Sequence, residues 1–114
     1  MNTKELFFRA QEICPMEQAE FLSHVGDCVR MLLARYPTAL LARAGDGAIA
    51  APVTLEEDCG IDEAYDQALI LGAVAGKTGV ESDHAHFLSE AEQAYRAVWR
   101  RQARGKRLAM RGGW

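Results

Sequence analysis

The chain has 114 residues, room for one domain, and two independent domains are excluded. Leu, Ile, Val and Phe total 25 residues, enough for a modest core, and 19 alanines against 14 Val, Ile and Thr residues lean the composition toward helix. The net charge of −3 conceals a division, because residues 1–92 sum to −10 whereas residues 93–114 hold seven basic residues and no acid.

Asn2 is placed to cap a first helix with Glu5 at its third position, and Leu6, Phe7, Ala10, Ile13 and Cys14 recur on one face. Pro15 ends that helix and is placed to open a second, which has Glu17 and Glu20 early and Arg30 and Arg35 late, the order a helix dipole favours. This helix is expected to run to about Tyr36, with the stripe Phe21, Leu22, Val25, Cys28, Val29, Leu32 and Tyr36. Met31 and Leu33 add apolar surface outside the stripe, so that end should touch more than one partner. A subunit interface and an intrachain helix are the two candidates. Residues 37–60 hold Pro37, the turn Gly45-Asp46-Gly47, Pro52 and the acidic run Glu56-Glu57-Asp58, with no helical period. An irregular insertion is expected there, or a short hairpin pairing Leu40–Ala44 with Ala48–Val53.

Asp62 can cap a third helix beginning with Glu63 and Asp66, and the nine residues Ala68–Gly76 are apolar on every side, the pattern of a central helix. Nine residues are too few to span a bilayer, which takes about 20. Gly72 and Gly76, one turn apart, let a neighbour approach closely, and Gly76 or Gly79 can end the helix. Ser82 or Asp83 is expected to cap a fourth helix with the stripe Phe87, Leu88, Ala91, Ala94, Tyr95 and Val98, running to about Arg104 before Gly105. The expected fold is therefore all-α. It is a bundle of about four helices over residues 1–104, with an irregular or hairpin insertion between helices two and three and a basic tail over residues 105–114.

Motifs for chemistry are sparse. Gly72-Ala-Val-Ala-Gly76-Lys77-Thr78 has three residues between its glycines where a phosphate-binding loop needs four, so a helix C-terminus with Gly and Lys is the reading taken. Cys14, Cys28 and Cys59 form no C-x-x-C pair, and Lys4, Glu5 and Arg9 interrupt any apolar export signal, so the cysteines read as reduced thiols. His24 stands four residues before Cys28 on one face, but lone cysteines are more often small buried hydrophobes. No metal, cofactor or catalytic residue is expected, and the acidic runs read as solvated surface. The tail is different. Lys106, Arg107 and Arg111 lie beyond Gly105, where a helix dipole does not account for them, and with Arg104 and Trp114 they are the candidate partner-binding residues.

The order of parts resembles the head-tail connector, or head-completion adaptor, proteins of tailed bacteriophages and prophages. Glu5-Leu-Phe-Phe-Arg-Ala-Gln-Glu-Ile-Cys-Pro15 is similar to the family's short first helix closed by Pro. Asp62-Glu-Ala-Tyr65-Asp-Gln-Ala-Leu69 resembles its Tyr-bearing helix, and Asp83-x-x-x-Phe87 with Ala94-Tyr95-x-x-Val98-Trp99-Arg-Arg101 resembles its final helix and basic tail. Where the family often has Pro directly before the third helix, this chain has Pro52, ten residues before Asp62. The resemblance implies a non-enzymatic virion subunit, assembled in the bacterial cytoplasm. It would form a homo-oligomeric ring, dodecameric in the family, below the portal protein and above the next tail-completion protein. DNA would pass through its channel without sequence-specific binding. The acidic body suits such a conduit, and the basic tail is then expected to grip the portal. A helical nucleic-acid-binding or regulatory protein that uses the basic tail on phosphate is the alternative.

Overall fold

The computed structural model describes residues 2–36, Leu55 and residues 61–112, with the side chains of Gln102 and residues 104–112 excepted. Four α-helices make up nearly all of this: α1 (Thr3–Ile13), α2 (Gln18–Arg35), α3 (Asp66–Thr78, led in by a 3-10 turn at Glu63–Tyr65) and α4 (Glu81–Gly112). No β-strand occurs among the described residues. The proposed hairpin of Leu40–Ala44 with Ala48–Val53, the acidic run 56–58 and Cys59 lie outside them.

Local chemistry sets most helix ends. Asn2 Oδ1 accepts the Glu5 N–H at 2.8 Å and starts α1, and Cys14, just before Pro15, closes it through an N–H bond to the Ala10 carbonyl. Pro15 does not open α2, contrary to the sequence expectation. Glu17 occupies the cap, and its N–H donates to the Glu20 carboxylate at 3.2 Å, which fixes a start three residues after the proline. Gly79, at φ 68°, terminates α3 in the left-handed conformation that an L side chain resists. The entry to α4 also corrects the expectation, since neither Ser82 nor Asp83 is the cap. The Val80 carbonyl already accepts the N–H groups of Asp83 and His84, and the Thr78 hydroxyl accepts the Val80 N–H while donating to Asp83 Oδ2 at 2.7 Å.

Apolar periodicity then places α3 at the centre, packed against α1, α2 and α4. Leu69, Ile70, Ala73 and Val74 are buried on several sides of it, as its all-round apolar pattern requires. Phe21, Val25, Val29 and Leu32 enter from α2, and Phe87, Ala91, Ala94 and Val98 from α4. Helix α1 contributes Leu6, Phe7 and Ala10, with Phe7 tilted on Phe21 at 5.2 Å, whereas Ile13, assigned to the same face, is 54% exposed. Because α1 ends at Ile13, that side chain projects past the core.

Both α2 and α4 run antiparallel to α3. At one end Lys77 meets Glu20, and at the other the Tyr36 ring stacks on Tyr95 at 4.9 Å and lies 6.3 Å from Tyr65. Tyr36 and Tyr65, though 29 positions apart in sequence, are thus close neighbours in the fold, and Leu55 and Ile61 also join the core.

Candidate functional site

The Gly72–Thr78 segment closes α3 as a helix. Its backbone N–H groups before Gly79 are committed to helical bonding, and its two polar side chains are engaged: Lys77 Nζ binds Glu20 Oε2 at 2.5 Å and Thr78 bonds Asp83. The pair holds the Glu20 carboxyl below, and the Lys77 ammonium above, its ordinary pKa, chiefly through the shared hydrogen bond.

Gly72 and Gly76 receive two side chains from α2 instead of a phosphate. A Cβ at Gly72 would overlap the Cys28 sulfur and press on the Phe87 ring, and a Cβ at Gly76 would lie 2.6 Å from His24 Nδ1. The i, i+4 spacing of His24 and Cys28 matches that of the two glycines, which is the signal in the sequence that links them. Burial, and then the neighbouring Asp27, push the Cys28 thiol up to about 12, so it is neutral and unreactive. Beside this contact, Asp27, Met31, His84 and Phe87 complete a cleft of about 190 Å³. That volume falls short of the roughly 300 Å³ at which ligand pockets begin. Among the described residues no group of three or more His, Cys, Asp and Glu side chains is arranged to hold a metal ion, and no helix is long and apolar enough to cross a membrane.

Met31 and Leu33, the candidate interface residues, are each half-buried against the chain's own core, and Met31 also lines the cleft. Their sequence signal, apolar surface outside the stripe, is used at least partly within the chain.

The C-terminal helix carries the remaining chemistry. It does not stop at Arg104: the backbone stays helical through Gly105 to Gly112, 32 residues in all. Arg104, Lys106, Arg107 and Arg111 therefore sit on a continuous helix rather than on an arm that leaves it, while Trp114 lies outside the described residues. Where side chains are described, Arg101 binds Asp62 Oδ2 and Arg96 pairs with Glu92 at 3.2 Å. Trp99, 59% exposed, and Arg100 face solvent between these two pairs. Neither Trp99 nor the Asp62 partner was singled out from sequence as functional. No protein-family model, curated protein or solved structure matches the chain.

Proposed function

We propose that this chain is a structural assembly protein, a head-tail connector subunit of a tailed phage or prophage that forms a ring below the portal and extends the DNA channel. One observation carries the reading: the all-α chain ends in a single 32-residue helix, α4, whose last part is strongly basic. Beyond the Arg101–Asp62 contact, 11 residues of α4 remain, a further length of about 16 Å at 1.5 Å each. A long helix with a basic end on an acidic chain suits a subunit set between the portal and the DNA channel. The order of elements, a short helix closed before Pro15, a longer one, a Tyr-bearing helix and a final helix with a basic end, is compatible with the order that the family resemblance implies. In this reading the partners are further copies of the chain, the portal and the next tail component.

The decisive experiment mixes the purified chain with portal rings from the same genome and images the product by electron microscopy. The expected result is a ring of added density coaxial with the portal and a longer channel. Portal rings that stay bare at saturating chain concentration would refute the reading.

A further inference from the structure

The unbroken register of α4 brings its scattered cations into line. Arg96, Arg100, Arg104, Arg107 and Arg111 are separated by four, four, three and four residues. At 3.6 residues per turn these positions fall within an arc of about 80° and extend about 22 Å along the helix. The buried stripe of Phe87, Ala91, Ala94 and Val98 occupies the other side. A helix ending at Arg104 would leave the last two arginines unrelated to the first three, so the line exists only because Gly105 is helical.

Such a line calls for external anions. Like charges at i, i+4 destabilise an isolated helix, and the neighbours supply little relief: Glu92 serves Arg96, and Arg100 has no acidic partner among the described residues. Arg111 stands ten residues, about 15 Å along the helix, beyond Arg101 and its Asp62 partner, nearly twice the screening length of about 8 Å at physiological salt. A second copy of the chain offers a poor match, because acids on its described helices and caps reach this spacing only in short groups, Glu17 with Glu20, and Glu63 with Asp66 beside Asp62, which Arg101 already holds.

We propose that the arginine face of α4 binds duplex DNA along its phosphate backbone, without reading sequence. Duplex DNA presents the regular anion array that the stripe requires, one charge per 1.7 Å of axis. A lone helix, about 10–12 Å across with its side chains, also fits the major groove, about 12 Å wide. Gly105, Ala109 and Gly112, at register positions away from the stripe, are small residues. Arginine suits the task, since its planar fork pairs with phosphate oxygens two at a time. The inference rests on the connector reading only for the source of the DNA, the genome held in the channel. In that setting a basic helix retains the DNA end, where an acidic wall alone would let it slide.

Fluorescence anisotropy of the full chain with a labelled duplex, across a salt series, tests this. Five phosphate contacts predict a slope of log K against log salt of about −4.5. R100E/R107E should bind at least tenfold more weakly, with the slope reduced by about two units. R9A/R30A, which removes cations on α1 and α2, should bind within twofold of wild type, and circular dichroism should show the fold intact in both. The proposal is overturned if the wild type fails to bind at low salt, or if R100E/R107E binds like wild type. Binding to polyglutamate as tight, charge for charge, as to DNA would also overturn it, by making an acidic protein the partner. The portal-ring experiment contains no DNA, so a failure of DNA binding and a failure of the connector reading are distinguishable.

Discussion

Asp62 and Arg101, 39 residues apart, join the start of α3 to the later part of α4. One carboxylate does both jobs. Its Oδ1 accepts the Ala64 N–H at 2.9 Å and caps the helical turn, while Oδ2 holds the Arg101 guanidinium. The Asp62 side chain is only 14% exposed, whereas Arg101 is 56% exposed. Losing the cap should therefore matter more than losing the ion pair. Asp62→Ala is expected to destabilise by about 1–2 kcal/mol, and Arg101→Ala by less, since exposed pairs contribute little. Urea unfolding of both variants and of the double variant measures the two contributions and their coupling.

Leu69 sits on the central helix with 1% of its surface exposed. Leu69→Ala should cost about 2–5 kcal/mol, the range for a leucine removed from a core that cannot collapse around the gap. A melting temperature equal to wild type would mean that α3 is not the centre of the bundle.

The Gly72–Cys28 contact predicts a coupling. Gly72→Ala should destabilise by about 1–3 kcal/mol, because its methyl group enters space filled by the Cys28 sulfur and the Phe87 ring. Cys28→Ala removes the sulfur, so the double variant should recover part of that loss. Gly76→Ala should be milder, as His24 is only half-buried and can swing aside. A double-mutant cycle read from chemical denaturation gives the answer, and strict additivity of Gly72→Ala with Cys28→Ala would show that the sulfur is not the obstacle.

These contacts show what a single sequence can and cannot disclose. The central position of α3 was legible because residues 68–75 are apolar whichever way the helix turns. The cap at Asn2 was legible because it is local chemistry, and so was the stop of α3 to within two glycines, Gly76 or Gly79, of which the structure uses Gly79. Pairings between distant positions, Asp62 with Arg101 or Glu20 with Lys77, leave no periodic trace, since either partner reads equally well as solvated charge. The exposure of Ile13 was missed for a related reason: spacing puts a residue on a face, but only the neighbouring helices decide how far along that face the core extends.

Tyr65 and Cys28 predict a loss of stability in alkali. Burial, with smaller contributions from Tyr36 and Asp62, raises the Tyr65 phenol to about 12, and the Cys28 thiol reaches about 12 from an ordinary 9.0. As pH rises from about 9, the unfolded chain releases these protons first and the folded chain keeps them, so stability falls across the window from about 9 to 12. Tyr65→Phe and Cys28→Ala should each flatten that decline in melts recorded between about pH 8 and 11. The Tyr65 hydroxyl is buried with no hydrogen-bond partner among the described residues. Tyr65→Phe should therefore be neutral or stabilising at pH 7, because it removes a desolvated hydroxyl that finds no partner among the described residues.

Gly105 and Gly79 give opposite predictions for the same substitution. Gly79 has φ 68° and ends α3, so Gly79→Ala forces a side chain into a left-handed backbone and should destabilise by about 1 kcal/mol or more. Gly105 lies within α4, eight residues after Ala97 and seven before Gly112, with helical backbone on both sides. There alanine relieves the entropy that glycine loses on entering a helix, and Gly105→Ala should raise helical content with a gain of about 0.5–1 kcal/mol in local stability. Far-UV circular dichroism and amide hydrogen exchange over residues 100–112 read this directly. The sign decides more than stability. If Gly105→Ala lengthens the protected part of α4, the five arginine positions share one helical face, and the same variant should bind duplex DNA more tightly because less ordering remains to be done on binding. If alanine instead lowers helicity, Gly105 is a terminator, the register breaks between Arg104 and Arg107, and the stripe loses its geometric basis.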